Sequence, residues 1–204
     1  MATVGLRYAV FAPIISEVRG QPLVYGTGVV VGRAIRADIT WERNDNPLYA
    51  DDVEVDNDNS LTGGAITFNL NTVYKDARKV MFGDYIDSKE GEPEEWEDNA
   101  DAAPYGGYGT VSVVRDENEY AYEAMWLHKT QFGQTSESME TKGRTINHQT
   151  PTINGRIMPV YNNVENKPRV RRRATFETAG EAIEWLNKLA NVADNANAQA
   201  AAEA

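Results

Sequence analysis

Two histidines, 31 acids, one compact group of arginines and no cysteine make up the chemical repertoire of this chain. His128 and His148 both sit inside strand-like patterns, where a structural histidine is the stronger reading than a catalytic base or a metal ligand. Without cysteine there is no disulfide, no thiol nucleophile and no cysteine zinc site. No Gly-x-Ser-x-Gly, His-Glu-x-x-His or Walker-type loop is present. Gly26-Thr27-Gly28 leads into valines and not into a helix, so it lacks the helix start that a dinucleotide pyrophosphate needs. Asp56-Asn57-Asp58-Asn59-Ser60 has the look of a calcium loop, but Leu61 and Thr67 stand where that loop requires glycine and glutamate. Paired carboxylates for glycoside hydrolysis could be drawn from many acids, and nothing singles out a pair. Arg169, Arg171, Arg172 and Arg173 form the one basic cluster. It reads as a nucleic-acid patch or, more simply, as a strand face pairing with acids of this chain or of a neighbour. Tyr120, Tyr122 and Trp126 recur at period two, as a sugar or base platform would, and equally as cross-strand packing would.

These residues must be held by something, and the pattern is mostly β. Ile35, Ala37, Ile39 and Trp41 alternate with Arg36, Asp38, Thr40 and Glu42, the period of a half-buried strand. A second such strand carries Ile66, Phe68 and Leu70. Between them, Asn44–Gly64 is far longer than the usual hairpin connection of about 2–5 residues. It mixes Leu48, Tyr49, Val53, Val55 and Leu61 with Asp45, Asp51, Asp52, Glu54, Asp56 and Asp58. Apolar groups on a projecting loop cost free energy unless something covers them, and the expected cover is another protein chain.

The rest of the chain follows the same reading. Residues 1–20 predict an extended arm or edge strand broken by Pro13, with a turn at Arg19–Pro22. A short helix is expected from an N-cap at Thr72 to a stop at Gly83. Tyr85–Asp101 reads as an exposed acidic hairpin or loop around Trp96, followed by strands over Tyr108–Arg115 and Tyr120–Phe132. Arg144–Val160 reads as a strand pair or bulged strand interrupted at Pro151 and Gly155, and Arg169–Phe176 as a short strand. Thr178 with Glu181 marks a capping box for a second helix whose apolar stripe is Ala182, Ile183, Trp185, Leu186 and Leu189. From Asn191 the composition predicts a disordered tail, which gives one domain over 1–190 and a tail over 191–204. The fold class is mainly β (α+β): a β-sandwich or partly closed barrel with one or two flanking helices, a long inter-strand loop and extended termini.

The chain has 204 residues and a formal charge of −11. An acidic balance argues against tight nucleic-acid binding, though not against a surface that nucleic acid passes without sticking. No apolar run approaches the roughly 18 residues of a membrane helix, so no membrane-spanning segment is expected. The first residues lack the plan of a secretory signal.

One resemblance runs through most of the chain, from about Leu6 to Leu189. The blocks that carry it are Gly28–Ile35, Asn46-Pro47-Leu48-Tyr49-Ala50-Asp51-Asp52, Asp58-Asn59-Ser60, Gly63-Gly64 and Ala103-Pro104-Tyr105. They continue with Gln131-Phe132-Gly133, Thr141-Lys142-Gly143, Gln149-Thr150-Pro151 and Ala182–Asn187. In this order the set resembles the major tail (tail tube) proteins of long-tailed, non-contractile bacteriophages, and the Leu-Tyr-Ala-Asp-Asp block is its most specific element. The resemblance implies a structural virion protein without catalysis or cofactor. Six copies would close a ring, rings would stack into a hollow tube, and the long loop would reach the next ring. The implied partners are the protein itself, the tail initiator, tape-measure and terminator proteins, and DNA passing through the lumen without specific binding. The implied place is the virion tail, after synthesis in the host bacterial cytoplasm. The expected assembly residues are Leu48, Tyr49, Asp51, Asp52, Val53, Val55, Asp56 and Asp58, with inter-subunit charge pairing at Arg169, Arg171, Arg172 and Arg173. A β-sandwich carbohydrate-binding module using Tyr120, Tyr122 and Trp126 is the alternative, and a hydrolase using two of the acids a third.

Overall fold

The computed structural model describes residues 2–50, 53–87, 93, 95–116, 119–136, 150–161 and 167–192. Among them the chain runs β1 (Ala2–Ser16), β2 (Val24–Tyr25), β3 (Val29–Gly32), β4 (Ala34–Arg43), β5 (Asn46–Ala50), β6 (Val53–Asp58) and β7 (Leu61–Leu70). A helical turn, α1 (Lys75–Ala77), continues as a π-turn over Arg78–Phe82. Then come β8 (Tyr85–Asp87), β9 (Glu95–Glu97), β10 (Gly106–Asp116), β11 (Glu119–Phe132), β12 (Thr152–Ile157), β13 (Arg171–Phe176) and α2 (Ala179–Ala190).

Nine strands form one antiparallel sheet in the order β2-β1-β10-β11-β12-β7-β4, with β3 also on β1 and β13 also on β11. The order does not return on itself, so this is a folded-over sheet and not a closed barrel. β12, β7 and β4 lie across an apolar core from β1, β10 and β11, which makes a sandwich. That core joins Ala9 and Phe11 of β1 to Tyr108, Leu127, Phe132, Phe68, Ile153 and Ile157, with Ala77, Met81 and Phe82 closing one side. A second core lies on the outer face of β1, β10 and β11, where α2 covers Tyr8, Val10, Val111, Ala124 and Trp126 with Ala182, Ile183, Leu186 and Ala190. Burying each large aliphatic side chain in this way contributes about 1.5–3 kcal/mol.

β1 serves both cores by strand alternation, Tyr8, Val10 and Ala12 facing one and Ala9 and Phe11 the other, and two irregularities adjust the ladders around it. Tyr8 has φ 55, and the β1–β10 register shifts between Arg7 and Ala9. In β11, Gly106 pairs with Thr130 while Tyr108 pairs with Leu127, which leaves one extra residue in β11. That residue inverts the alternation, so odd-numbered Leu127 and even-numbered Phe132 face the same core. Gly106 and Gly107 keep β10 bare where rings cross it. A β-carbon at Gly106 would stand 2.2 Å from Phe11 Cζ, and one at Gly107 would stand 2.1 Å from Trp126 Cζ2.

Several expectations need correction. β1 is no arm or edge strand: it pairs β10 on one side and β2 and β3 on the other, and Tyr8–Ala12 are core. Pro13 lies at the end of the β10 ladder and its carbonyl accepts from Gly26, so its missing N–H does not break the strand. The first helix begins after Tyr74 and not at Thr72, because the Tyr74 amide donates to Val31 and holds that residue extended. Gly83 does stop it, at φ 80. Gly155 does not interrupt β12 but pairs with both Phe132 and Ile66. The Thr178 hydroxyl caps α2 by accepting from the Glu181 amide. Asn191 and Val192 belong to the packed domain: Asn191 ends α2 at φ 50 and donates its side-chain amide to Tyr25 O, and Val192 packs on the α2 core. The remainder of the tail, 193–204, lies outside the described residues, as do His148 and most of the link after Gly133.

Candidate functional site

The segment between Asn44 and Gly64 is not an open loop. β4 and β7 pair from Ala34↔Leu70 to Arg43↔Leu61, and the ribbon continues past them as β5 paired with β6. Leu61 belongs to β7 and packs on the inter-sheet core, so it is not one of the projecting apolar groups. The period-two signal ended at Arg43 because both faces of the ribbon leave the core there.

The ribbon is fastened at its root by polar bonds. The Asn44 amide donates to Ser60 O at 2.8 Å. Asp58 accepts from the Asn44 side-chain amide at 2.8 Å and from the Ser60 amide at 3.0 Å. Those bonds, the Asn44 one first, hold the Asp58 carboxyl below the usual carboxylate range. Across the pair, the Asn57 side-chain amide donates to Asp45. Asp58, an expected assembly residue, is therefore a clamp of the ribbon root.

Further out, Ala50 pairs with Val53, and the register slips between Leu48 and Tyr49. Val53 is 63% exposed. Asp51 and Asp52, and the side chains of Leu48, Tyr49, Val55 and Asp56, lie outside the described residues. Along β6 the acids Glu54, Asp56 and Asp58 alternate with Val53, Val55 and Asn57. Neither strand packs extensively on any element but the other.

The arginine cluster divides by strand alternation. On one face of β13, Arg171 lies 4.8 Å above the Trp41 ring, and Arg173 pairs with Glu123 at 3.1 Å. On the other face Arg172 lies 5.5 Å from the Trp185 ring of α2. Arg169 exchanges backbone bonds with Val160 ahead of the strand. Pairing with acids of the same chain thus holds for Arg173, while Arg171 and Arg172 use aromatic faces. His128 lies beside Arg172 and Arg169. Burial first, then those two cations, push its pKa down to about 4, so it is neutral at pH 7.

The aromatic ladder does not form a platform. Trp126 is 1% exposed beneath α2, with its indole N–H donated to Tyr25 and its ring edge-on to that tyrosine. Tyr122 is half-buried in the same core, and Tyr120 is exposed with Arg115 above it. Of the three rings of the ladder only that of Tyr120 is exposed.

Asp84 was not singled out by its sequence context. It is 3% exposed and accepts from the Asn99 amide at 3.0 Å and the Gln134 side chain at 2.8 Å, while its Oδ2 has no partner among the described residues. Asn99 and Gln134 border a cavity of about 470 Å³ against Phe132 and Arg156. No group of three metal-ligating side chains occurs among the described residues. No helix among them is long and apolar enough to cross a membrane.

The fold and these surfaces define a mainly β sandwich that carries a flanking helix and an acidic ribbon. No family model and no curated protein matches the chain.

Proposed function

We propose that this chain is a structural subunit that polymerises with copies of itself into a tube. The closest description is the tail tube of a long-tailed, non-contractile bacteriophage, built of stacked six-membered rings. The observation that carries this reading is the β5–β6 ribbon. Among the described residues its two strands pack chiefly on each other, and Val53 is exposed in a run of acids. A small domain gains nothing by itself from an ordered apolar ribbon in water, whereas an assembly buries it. Among the described residues β2, β3, β4 and β13 of the main sheet each pair on one side only, and these open edges support the same reading, because closing a ring is one way to cover sheet edges. The charge of −11 suits a conduit along which DNA slides without adhering. Initiator, tape-measure and terminator proteins are the partners such a tube requires.

The test is to replace residues 46–58 by a two-residue Asn-Gly turn, which rejoins β4 to β7 through a short hairpin. The variant is expected to keep the wild-type circular dichroism spectrum and to form no tubes by negative-stain electron microscopy in the presence of the initiating complex. Normal tubes from that variant would overturn the reading.

A further inference from the structure

We propose that the outer face of β12, β7 and β4 lines the bore of the assembled tube and is the surface that duplex DNA slides past. The inference rests on the self-assembly reading above and assigns the face that the passing polyanion meets.

The sandwich has two outer faces, and they differ in kind. α2 lies on the face of β1, β10 and β11. On the other, Asp38, Thr40, Asn154 and Arg156 are exposed. Strand alternation sends Ile66, Phe68 and Ile153 into the core and turns the residues between them outward. In register, Asp38 stands beside Thr67 and Thr67 beside Asn154. Two residues along each strand, Arg36 stands beside Asn69 and Asn69 beside Thr152.

Side-chain bonds tie these rows together. The Thr67 hydroxyl donates to Asn154 Oδ1 at 2.8 Å, and the Asn69 amide donates to the Thr152 hydroxyl at 2.6 Å. Arg36 forks onto Asp38, with Nε 2.6 Å from Oδ2 and Nη2 3.2 Å from Oδ1. Arg156 lies 3.8 Å from Glu42 of the same face. Each arginine is thus matched by an acid, and the paired outward positions from Arg36 to Glu42 hold no large apolar side chain.

That composition argues against adhesion of either usual kind. A protein partner gains little from a face with no apolar core to bury. Tight nucleic-acid binding needs cations free to neutralise phosphates, and here a phosphate would have to displace a carboxylate from each arginine. The result is a wetted, charge-balanced wall. The face ends at β4, whose outer edge is open among the described residues, so a strand of the next copy can extend it. The opposite face is closed by a helix and cannot be extended in that way.

The absence of cysteine allows a direct test. Asn154→Cys puts a thiol on the wall, and Lys188→Cys puts one on the exposed side of α2. In purified tubes the Asn154→Cys thiol is expected to react with a small maleimide but not with a maleimide carried on a large polyethylene glycol, while the Lys188→Cys thiol reacts with both. Reaction of the Asn154→Cys thiol with the large reagent would put the face outside, and resistance to both reagents would bury it between subunits. Either result overturns the inference and leaves the tube standing. Asp38→Asn/Glu42→Gln releases both arginines. Tubes of that variant are expected to retain several-fold more short duplex DNA on pelleting than wild-type tubes, with the excess lost between about 50 mM and 200 mM salt. No gain in retained DNA would also overturn the inference. A wild-type chain that never forms a tube with its initiating complex would bring down the tube reading and this one together.

Discussion

His128 shows how much a residue's chemistry depends on what surrounds it. In sequence it is one of two histidines, and only its strand-like surroundings favour a structural role over a catalytic one. In the structure it is half-buried beside two arginines and remains neutral. Its folded pKa, about 4, lies below the ordinary histidine value of 6.5. Protons therefore bind the unfolded chain first. The stability contribution is complete above pH 6.5 and is lost as pH falls toward 4. The full shift corresponds to at most about 3 kcal/mol, and partial solvent access reduces it. Urea unfolding at pH 7 and pH 4.5 should show this loss, and His128→Gln should flatten it. Gly107 makes a second residue-scale case. Adding a methyl there drives it into Trp126, so Gly107→Ala is expected to destabilise by about 1–3 kcal/mol, read as a lower urea midpoint. Neither effect could be seen from the sequence, because the partners Arg172 and Trp126 are brought in from other strands.

At the scale of elements, local signals were reliable where the element's own residues supply its end. Thr178, Glu181 and the stripe Ala182, Ile183 and Leu186 marked α2 because cap and apolar face are both local. Thr178→Ala should lower the melting temperature by the equivalent of about 1 kcal/mol, the usual worth of such a cap. The first helix starts later than its sequence predicts because the Tyr74 amide is bonded to Val31 of β3. β1 reads as an arm in sequence for a similar reason: the strands that flank it, β10 on one side and β2 and β3 on the other, are set against it only by the fold. The long connection was noticed by its length and composition. That it is a two-stranded ribbon rooted on Asp58 required the cross-strand register.

For the whole molecule, assembly sets charge against contact. Copies that carry −11 repel at long range, while apolar contact between subunits of the proposed tube acts only when they nearly touch. Raising ionic strength from about 0.01 M to 0.15 M shortens the screening length from about 30 Å to 8 Å. This weakens the long-range repulsion more than the close contact. Tube growth followed by light scattering is therefore expected to speed up over that range. A marked slowing would show instead that long-range attraction between oppositely charged surfaces governs encounter.

What the amino-acid sequence determined alone was the strand content, the capped helix, the acidic balance and an apolar segment without an evident cover, since each depends on residues near one another in the chain. Tertiary structure decided which apolar residues are truly uncovered. It drew Leu61 and Trp126 into cores, left Val53 in solvent and divided the arginines between two faces. Those outcomes depend on register and on bulges of a single residue, and a one-residue slip turns a side chain from the core to water.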